Sequence, residues 1–96
     1  MQVKDFLELV KKGTPNQVQE AIEAGADLRA QDQGGLTPLM YAAKNNPNPE
    51  VITVPLKAGA DGKAKSNEGK TAFDYAQDNE KLKGTDAYWK LTEALY

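Results

Sequence analysis

The 96-residue chain contains nearly the same phrase twice, and this internal repeat restricts its fold more than any other feature. Residues 35–42, GLTPLMYA, return at 69–76 as GKTAFDYA, 34 positions later. The phrase EAGAD at 23–27 returns as KAGAD at 57–61 with the same offset. A period of this length is typical of a supersecondary unit that cannot bury its apolar face alone. The repeat therefore predicts a stack of similar units.

Recurring start and stop signals divide each unit into two short helices. Gly25 and Gly59 follow apolar periodic runs, and glycine readily adopts the left-handed conformation that ends a helix. Thr37 and Pro38 suit the N-cap and the first helical position. Signals of this kind predict six helices in three pairs, at about 3–12 with 15–24, 38–45 with 49–57, and 72–79 with 86–95.

Polar side chains at the helix starts and turns have predictable partners. Residues 14–17, TPNQ, have the spacing of a capping box, in which two side chains satisfy free backbone N–H groups. Asn48 and Thr85 are expected to cap the fourth and sixth helices. Asp27 and Asp61 recur at the repeat period, so we expect them to accept hydrogen bonds from the backbone of the following turn.

Apolar residues recur at helical spacing on the faces that neighbouring pairs would bury. Phe73 occupies the position of Leu39 one period later, and we expect its ring to be buried. The small side chains of Ala42, Ala43 and Ala76 allow helices to approach closely. The other predicted core residues are Phe6, Leu9, Val10, Val18, Ala21, Ile22, Val51, Ile52, Leu56, Tyr88, Leu91 and Leu95.

The composition argues against several classes of function. Twelve Lys and Arg against 14 Asp and Glu give a net charge of −2, so we expect no nucleic acid or anionic membrane as a partner. The chain has no Cys and no His, which removes the usual metal ligands and catalytic base. The N-terminal residues do not form a signal peptide, and no window approaches the roughly 20 apolar residues of a membrane span. We expect a cytoplasmic protein that is not an enzyme and uses no cofactor.

These patterns together resemble the ankyrin repeat. The match consists of DxxGxTPL at 32–39, AA at 42–43, EVI at 50–52 and LKAGAD at 56–61. The resemblance implies an all-α ankyrin-repeat solenoid of three stacked helix pairs with projecting β-turn fingers. It also implies a single domain over residues 1–96, with repeats at about 1–30, 31–64 and 65–96.

The resemblance further implies a non-catalytic module that binds another protein through its fingers and inner helices. Leu36 is the most suggestive contact, because it is apolar where the family pattern implies exposure. Tyr41 and Tyr75 are assigned to packing rather than to binding. The matching finger and inner-helix positions are Gln33, Gly34, Leu36, Lys44, Asn45, Asn67, Glu68, Lys70, Asp78 and Asn79, with Lys11 and Lys12 extending the surface into the first repeat.

Two positions in the second repeat depart from the family pattern. Pro55 replaces a leucine inside a helix, and Gly62 replaces a β-branched residue. Proline cannot donate the helical hydrogen bond to the Val51 carbonyl, so we expect a bend there and a carbonyl that faces water or a partner. We also expect Pro55 and Gly62 to form a shallow apolar step, with Val54 at its edge, that receives a partner's side chain.

Trp89 is expected to be at least half exposed. It lies about 100° from Tyr88 around the last helix, away from the apolar stripe. Exposed tryptophan is enriched in interfaces, so Trp89 joins the candidate contacts.

An alternative function is a self-assembling structural unit, a homodimer formed through the outer face around Thr53, Val54 and Trp89. A variant of the leading hypothesis is an engineered binder, in which Pro55, Gly62 and Trp89 are installed contacts.

Overall fold

Six helices account for the regular structure of residues 3–95, the part of the chain that the computed structural model describes. This range contains no β-strand, so the predicted all-α class is confirmed. The helices are α1 (Val3–Lys12), α2 (Pro15–Glu23), α3 (Pro38–Asn45), α4 (Glu50–Lys57), α5 (Ala72–Ala76) and α6 (Asp86–Glu93).

The helices form two layers that run along the stack. In the inner layer α1 packs on α3 and α3 on α5, whereas in the outer layer α2 packs on α4 and α4 on α6. Each pair also packs internally, α1 with α2, α3 with α4 and α5 with α6. Because each pair contacts chiefly its neighbours, the molecule is the predicted solenoid of three helix pairs.

The helix starts follow the predicted capping chemistry. The hydroxyls of Thr14, Thr37 and Thr71 each accept a hydrogen bond from the backbone N–H three residues later. Thr85 caps α6 in the same way. Helix α4 begins one residue later than predicted, although the Asn48 side chain still accepts a hydrogen bond from the Glu50 N–H at 3.0 Å.

Helix α5 is shorter than predicted and ends at Ala76 rather than near residue 79. The next N–H groups turn back more tightly: Asp78 donates to the Tyr75 carbonyl at 3.2 Å, and Asn79 donates to the Ala76 carbonyl at 3.0 Å. These three-residue spacings end the α-helical pattern. They lead into a longer connection in which Leu82, a residue that sequence analysis missed, is fully buried.

The core lies between the two layers and contains most of the predicted residues. Five predicted core residues are only partly buried: Leu9, Ile22, Leu56, Leu95 and Phe73. The expectation that the Phe73 ring is buried is therefore met only in part. Phe73 belongs to the last helix pair of the described range, so within that range no further pair packs against the end of the stack where it lies. Its ring packs against Tyr88, with centroids 5.0 Å apart. The largest fully buried side chains include Phe6, Val10, Val18, Leu39, Met40, Val51, Ile52, Leu82 and Leu91.

Two asparagines tie successive helix pairs together through their side-chain amides. The buried Asn46 Nδ2 donates to the carbonyls of Val10 at 2.9 Å and Gly13 at 3.0 Å. Thirty-three residues later in sequence, the Asn79 Nδ2 donates to the carbonyls of Ala43 and Asn46, both at 3.0 Å. In the sequence, the only signal of these bonds is that asparagine recurs at positions 46 and 79, an offset of 33 residues that is close to the 34-residue repeat.

The expected apolar step at Pro55 and Gly62 is wrong. Pro55 is fully buried in α4, at the register that Ala21 occupies in α2, and therefore does not face a partner. Val51 is also fully buried, so its carbonyl does not face water. Gly62 is covered by Ala94, and a Cβ at Gly62 would lie only 2.5 Å from the Ala94 Cβ. The glycine accommodates the end of α6 and leaves no open space for a partner.

Candidate functional site

Two tight turns, the first finger (residues 32–36) and the second finger (residues 66–70), project beside the inner helices. In the first, the Gly35 N–H donates to the Asp32 carbonyl at 2.9 Å, and the Asp32 N–H donates to the Leu36 carbonyl at 3.1 Å. The second finger repeats both bonds with Ser66 in place of Asp32, at 2.9 Å each. Hydrogen bonds therefore fix the conformation of each finger.

The two fingers are joined to each other by Asn67. Its backbone N–H donates to the Gly34 carbonyl and its side-chain amide to the Gln33 carbonyl, both at 2.9 Å. The fit also requires glycine at position 35, where φ is +78° and a Cβ would lie 2.6 Å from the Asn67 Oδ1. The side chains that the fingers expose thus stand on a rigid frame.

Tyrosines connect the inner helices to the fingers. The Tyr41 hydroxyl of α3 donates to an Asp32 carboxylate oxygen in the first finger. One period later, the Tyr75 hydroxyl of α5 donates to the Ser66 Oγ in the second finger at 2.9 Å. Tyr75 is buried and Tyr41 is partly buried, which agrees with the packing role assigned to them. The hydroxyl bonds to the fingers had no signal in the sequence beyond the repeat itself.

The Tyr41–Asp32 contact shifts the pKa values of both groups. The hydrogen bond from Tyr41 is the main reason that the pKa of Asp32 lies below its ordinary value. The same bond, followed by burial, raises the pKa of Tyr41 to about 12. Deprotonation of the Tyr41 hydroxyl would place a phenolate directly against the Asp32 carboxylate. The folded state therefore retains the hydroxyl proton to a higher pH than the unfolded state does.

This pair makes stability depend on pH above pH 10. The pKa of Tyr41 rises from 10.0 to about 12 on folding, so its contribution is complete below pH 10 and is lost as the pH rises toward 12. We expect Tyr41→Phe to flatten the fall in the free energy of unfolding across this interval, measured by urea unfolding. Tyr75→Phe keeps the Tyr41–Asp32 pair and should keep the slope. Equal slopes in the wild type and Tyr41→Phe would contradict the assignment.

Lysine side chains lie against the two tyrosine rings along the inner face, the surface formed by the two fingers and the exposed sides of α1, α3 and α5. The Lys11 Nζ is 4.6 Å from the centroid of the Tyr41 ring. The Lys44 and Lys70 Nζ atoms are 5.7 Å and 5.6 Å from the centroid of the Tyr75 ring. These distances fit cation–π contacts, which are attractive and which keep the ammonium groups on the surface.

The predicted contacts divide between two faces of the stack. Six lie exposed on the fingers or at the ends of the inner helices. The expectation that Leu36 is exposed is wrong: it is 9% exposed and packs into the core, because the chain enters the core where the finger joins α3, and the next residue, the N-cap Thr37, is buried as well. The six exposed residues are Gln33, Lys44, Asn45, Asn67, Lys70 and Asp78.

The outer face carries the remaining candidates. Trp89 is 55% exposed, as predicted, and its ring packs edge-on against Tyr88 with centroids 5.1 Å apart. Val54 is partly buried and, with Thr53, lines an open groove of about 630 Å³ between the outer helices. Trp89 does not line that groove, although Asp86, Ala87 and Lys90 of the same helix do.

A second groove, of about 660 Å³, lies on the inner face beside the first finger. Polar and charged side chains from α1, α3 and the finger line most of it, which suits contact with a polar partner surface. Its lining residues are Lys4, Leu7, Glu8, Lys11, Gln31, Asp32, Gln33 and Tyr41.

Of the helices within residues 3–95, none combines the length and the apolar character needed to cross a membrane.

Comparison with known proteins places the stack in a family. A family model described as ankyrin repeats (many copies) matches residues 22–76, more than half of the chain. No curated protein sequence matches significantly. Among solved structures, 239 chains match, so the fold alone does not select a partner.

One matching chain comes from a complex described as the Bd0816 predatory endopeptidase from Bdellovibrio bacteriovorus with the immunity protein Bd3460. The identity is 29% and the TM-score 0.80, with 98% of this chain and 47% of that chain covered. This chain thus spans about half the length of that one. The motif spacing, the stack of helix pairs and the family match agree, and the chain belongs to the ankyrin repeat family.

Proposed function

We propose that the chain is a non-catalytic module that binds another protein through its inner face, formed by the two fingers and the exposed sides of α1, α3 and α5. The observation that carries the proposal is the bonding of the fingers to each other through Asn67 and to the helices through Tyr41 and Tyr75. A surface already fixed before binding loses less conformational entropy when a partner docks.

The proposed contacts are exposed polar side chains on this fixed frame. Ankyrin repeats are protein–protein interaction modules, and their stacked form lets surface residues vary without disturbing the core. The contacts proposed for this face are Gln33, Lys44, Asn45, Asn67, Lys70 and Asp78.

The solved complex suggests which class of partner to test first. Its description pairs a peptidase with an immunity protein, and one of its chains has this fold over 98% of the present chain. We therefore include peptidases as the first candidate partners of the inner face. The proposal concerns binding to a peptidase, and inhibition is one outcome that an activity assay would detect.

A homodimer through the outer face is the second candidate. It is favoured by Trp89, which is 55% exposed and is the one large apolar side chain exposed among residues 4–95, the range whose burial the structure describes. In this arrangement Trp89 and Val54 would make the contact, and the inner face would remain free. If the chain is instead an engineered binder, Trp89 would be a residue introduced to contact the partner.

Binding measurements with two triple variants separate the two candidates. The inner-face variant carries Gln33→Ala, Lys44→Ala and Lys70→Ala, and the outer-face variant carries Thr53→Ala, Val54→Ala and Trp89→Ala. Partners selected from a panel of purified peptidases, or captured from an extract and then purified, are titrated against each variant by calorimetry. We expect the inner-face variant to weaken binding about tenfold or more and the outer-face variant to leave it nearly unchanged.

Light scattering at increasing protein concentration provides the second arm of the test. The inner-face proposal predicts a monomer throughout. A dimer that Trp89→Ala dissociates would instead establish the outer-face assembly. Binding that is lost only in the outer-face variant would also overturn the proposal.

A further inference from the structure

We propose that the place where Lys44 and Lys70 approach the Tyr75 ring, the second junction, receives an acidic side chain of the partner protein. This inference rests on the proposed function, because it requires the inner face to be the binding surface. It adds the chemistry of the partner: a segment that presents aspartate or glutamate to this point.

The first junction, where Lys11 meets Tyr41, shows what surrounds a lysine–tyrosine contact when the chain supplies its own acids. The Glu8 carboxylate lies 3.0 Å from the Lys11 Nζ and forms an ion pair with it. The Asp32 carboxylate accepts the hydrogen bond of the Tyr41 hydroxyl. Positive charge at the first junction is therefore balanced from within the chain.

The second junction has more positive charge and lacks these acids. Ser66 replaces Asp32 as the acceptor of the tyrosine hydroxyl, which removes one carboxylate. Two ammonium groups, from Lys44 and Lys70, lie within 5.7 Å and 5.6 Å of the centroid of one ring. Within residues 3–95 the sole ion pair is that of Lys11 with Glu8, so neither lysine has a carboxylate partner there.

The geometry suits a carboxylate from outside the chain. Lys44 comes from α3 and Lys70 from the second finger, so the two ammonium groups approach the ring from separate, fixed elements. Each ammonium offers three hydrogen-bond donors, and bonds between ions are stronger than those between neutral groups. A docked partner would also exclude water from the junction, which strengthens the attraction of the two charges for one carboxylate.

A peptide selection tests the inference directly. Random 12-residue peptides are displayed, selected on the wild-type chain, and the best binders are synthesised and titrated by fluorescence anisotropy at low salt. We expect the selected peptides to be enriched in aspartate and glutamate. The double variant Lys44→Gln/Lys70→Gln should bind them about tenfold more weakly, and Asn or Gln at the acidic peptide positions should remove that difference.

The matched control is the double variant Lys63→Gln/Lys65→Gln. It removes the same charge from two exposed lysines just before the second finger, outside the junction. We expect its affinity to stay within about twofold of the wild type. Ser66→Asp, which supplies the acid present at the first junction, should weaken binding of acidic peptides as well. Thermal melting of each variant checks that the stack remains folded.

The outcomes distinguish this inference from the proposed function. Selected peptides without acidic enrichment, bound through Gln33 and Asn45, would overturn the second-junction assignment and leave inner-face binding intact. Equal losses in the two lysine pairs would also overturn it, because the attraction would then be general. If every inner-face variant binds the selected peptides as tightly as the wild type does, both the second-junction assignment and inner-face binding are overturned.

Discussion

Replacing Asn46 with alanine is expected to lower the free energy of unfolding by about 2–4 kcal/mol. The Asn46 side chain is only 1% exposed and donates two hydrogen bonds to carbonyls of the first helix pair. Its Oδ1 also accepts a hydrogen bond from the Asn48 N–H at 2.9 Å. Alanine would leave the buried carbonyls of Val10 and Gly13 without these donors, and each unpaired buried group costs about 1–3 kcal/mol.

Two neighbouring substitutions serve as controls in the same urea-unfolding measurement. Asn45→Ala changes the same residue type at the adjacent exposed position, and we expect a change within about 0.5 kcal/mol. Asn79→Ala removes the equivalent bonds at the next interface, where the side chain is only partly buried, so its loss should be smaller than that of Asn46→Ala. Identical losses for Asn45→Ala and Asn46→Ala would show that the amide tie contributes nothing.

Replacing Gly62 with alanine is expected to destabilise the stack by about 1–3 kcal/mol, although alanine also restricts the unfolded chain. The new Cβ would lie 2.5 Å from the Ala94 Cβ and 3.3 Å from the Ala94 carbonyl oxygen. One of these atoms belongs to the backbone at the end of α6, so the clash is relieved only if the helix end shifts. The loss would appear as a lower midpoint in thermal or urea unfolding.

A double-mutant cycle isolates this contact. Ala94→Gly removes the methyl group that the new Cβ would meet, so the combination with Gly62→Ala should recover part of the lost stability. Gly34→Ala is the matched control, because its Cβ would meet side-chain atoms only, the Leu36 Cδ1 at 3.0 Å and the Asp32 Oδ1 at 3.5 Å. We expect a smaller change there. Strict additivity of the two substitutions would exclude the proposed steric conflict.

Helix positions were predictable because their signals are local. Thr14, Thr37 and Thr71 each bond to a backbone group three residues away, so the chain segment alone contains both partners. Gly25 and Gly59 end their helices with φ of +102° and +101°, a conformation that glycine adopts without strain. The repeat period then implied how the pairs stack, since similar units bury equivalent faces against one another.

The local rule also misled where a neighbouring element covers a residue. Leu36 was expected to be exposed from its position in a finger, yet it packs into the core. Pro55 was expected to form part of a shallow apolar step for a partner's side chain, yet it is fully buried in α4. In both cases exposure depends on which element lies opposite, and that information is not contained in the segment itself.

The helix pairs and their caps follow from the order of residues alone, because each signal lies within a few positions of the group that it satisfies, and the 34-residue offset implies how the pairs stack. Which polar residues join the repeats, and which remain on the surface, depends instead on how the helix pairs pack against one another. Asn46 and Asn45 are adjacent and chemically identical, but only Asn46 meets the carbonyls of a helix pair more than 30 residues away. Likewise, Lys44 and Lys70 approach the same Tyr75 ring only because the folded stack places the second finger beside the inner helices.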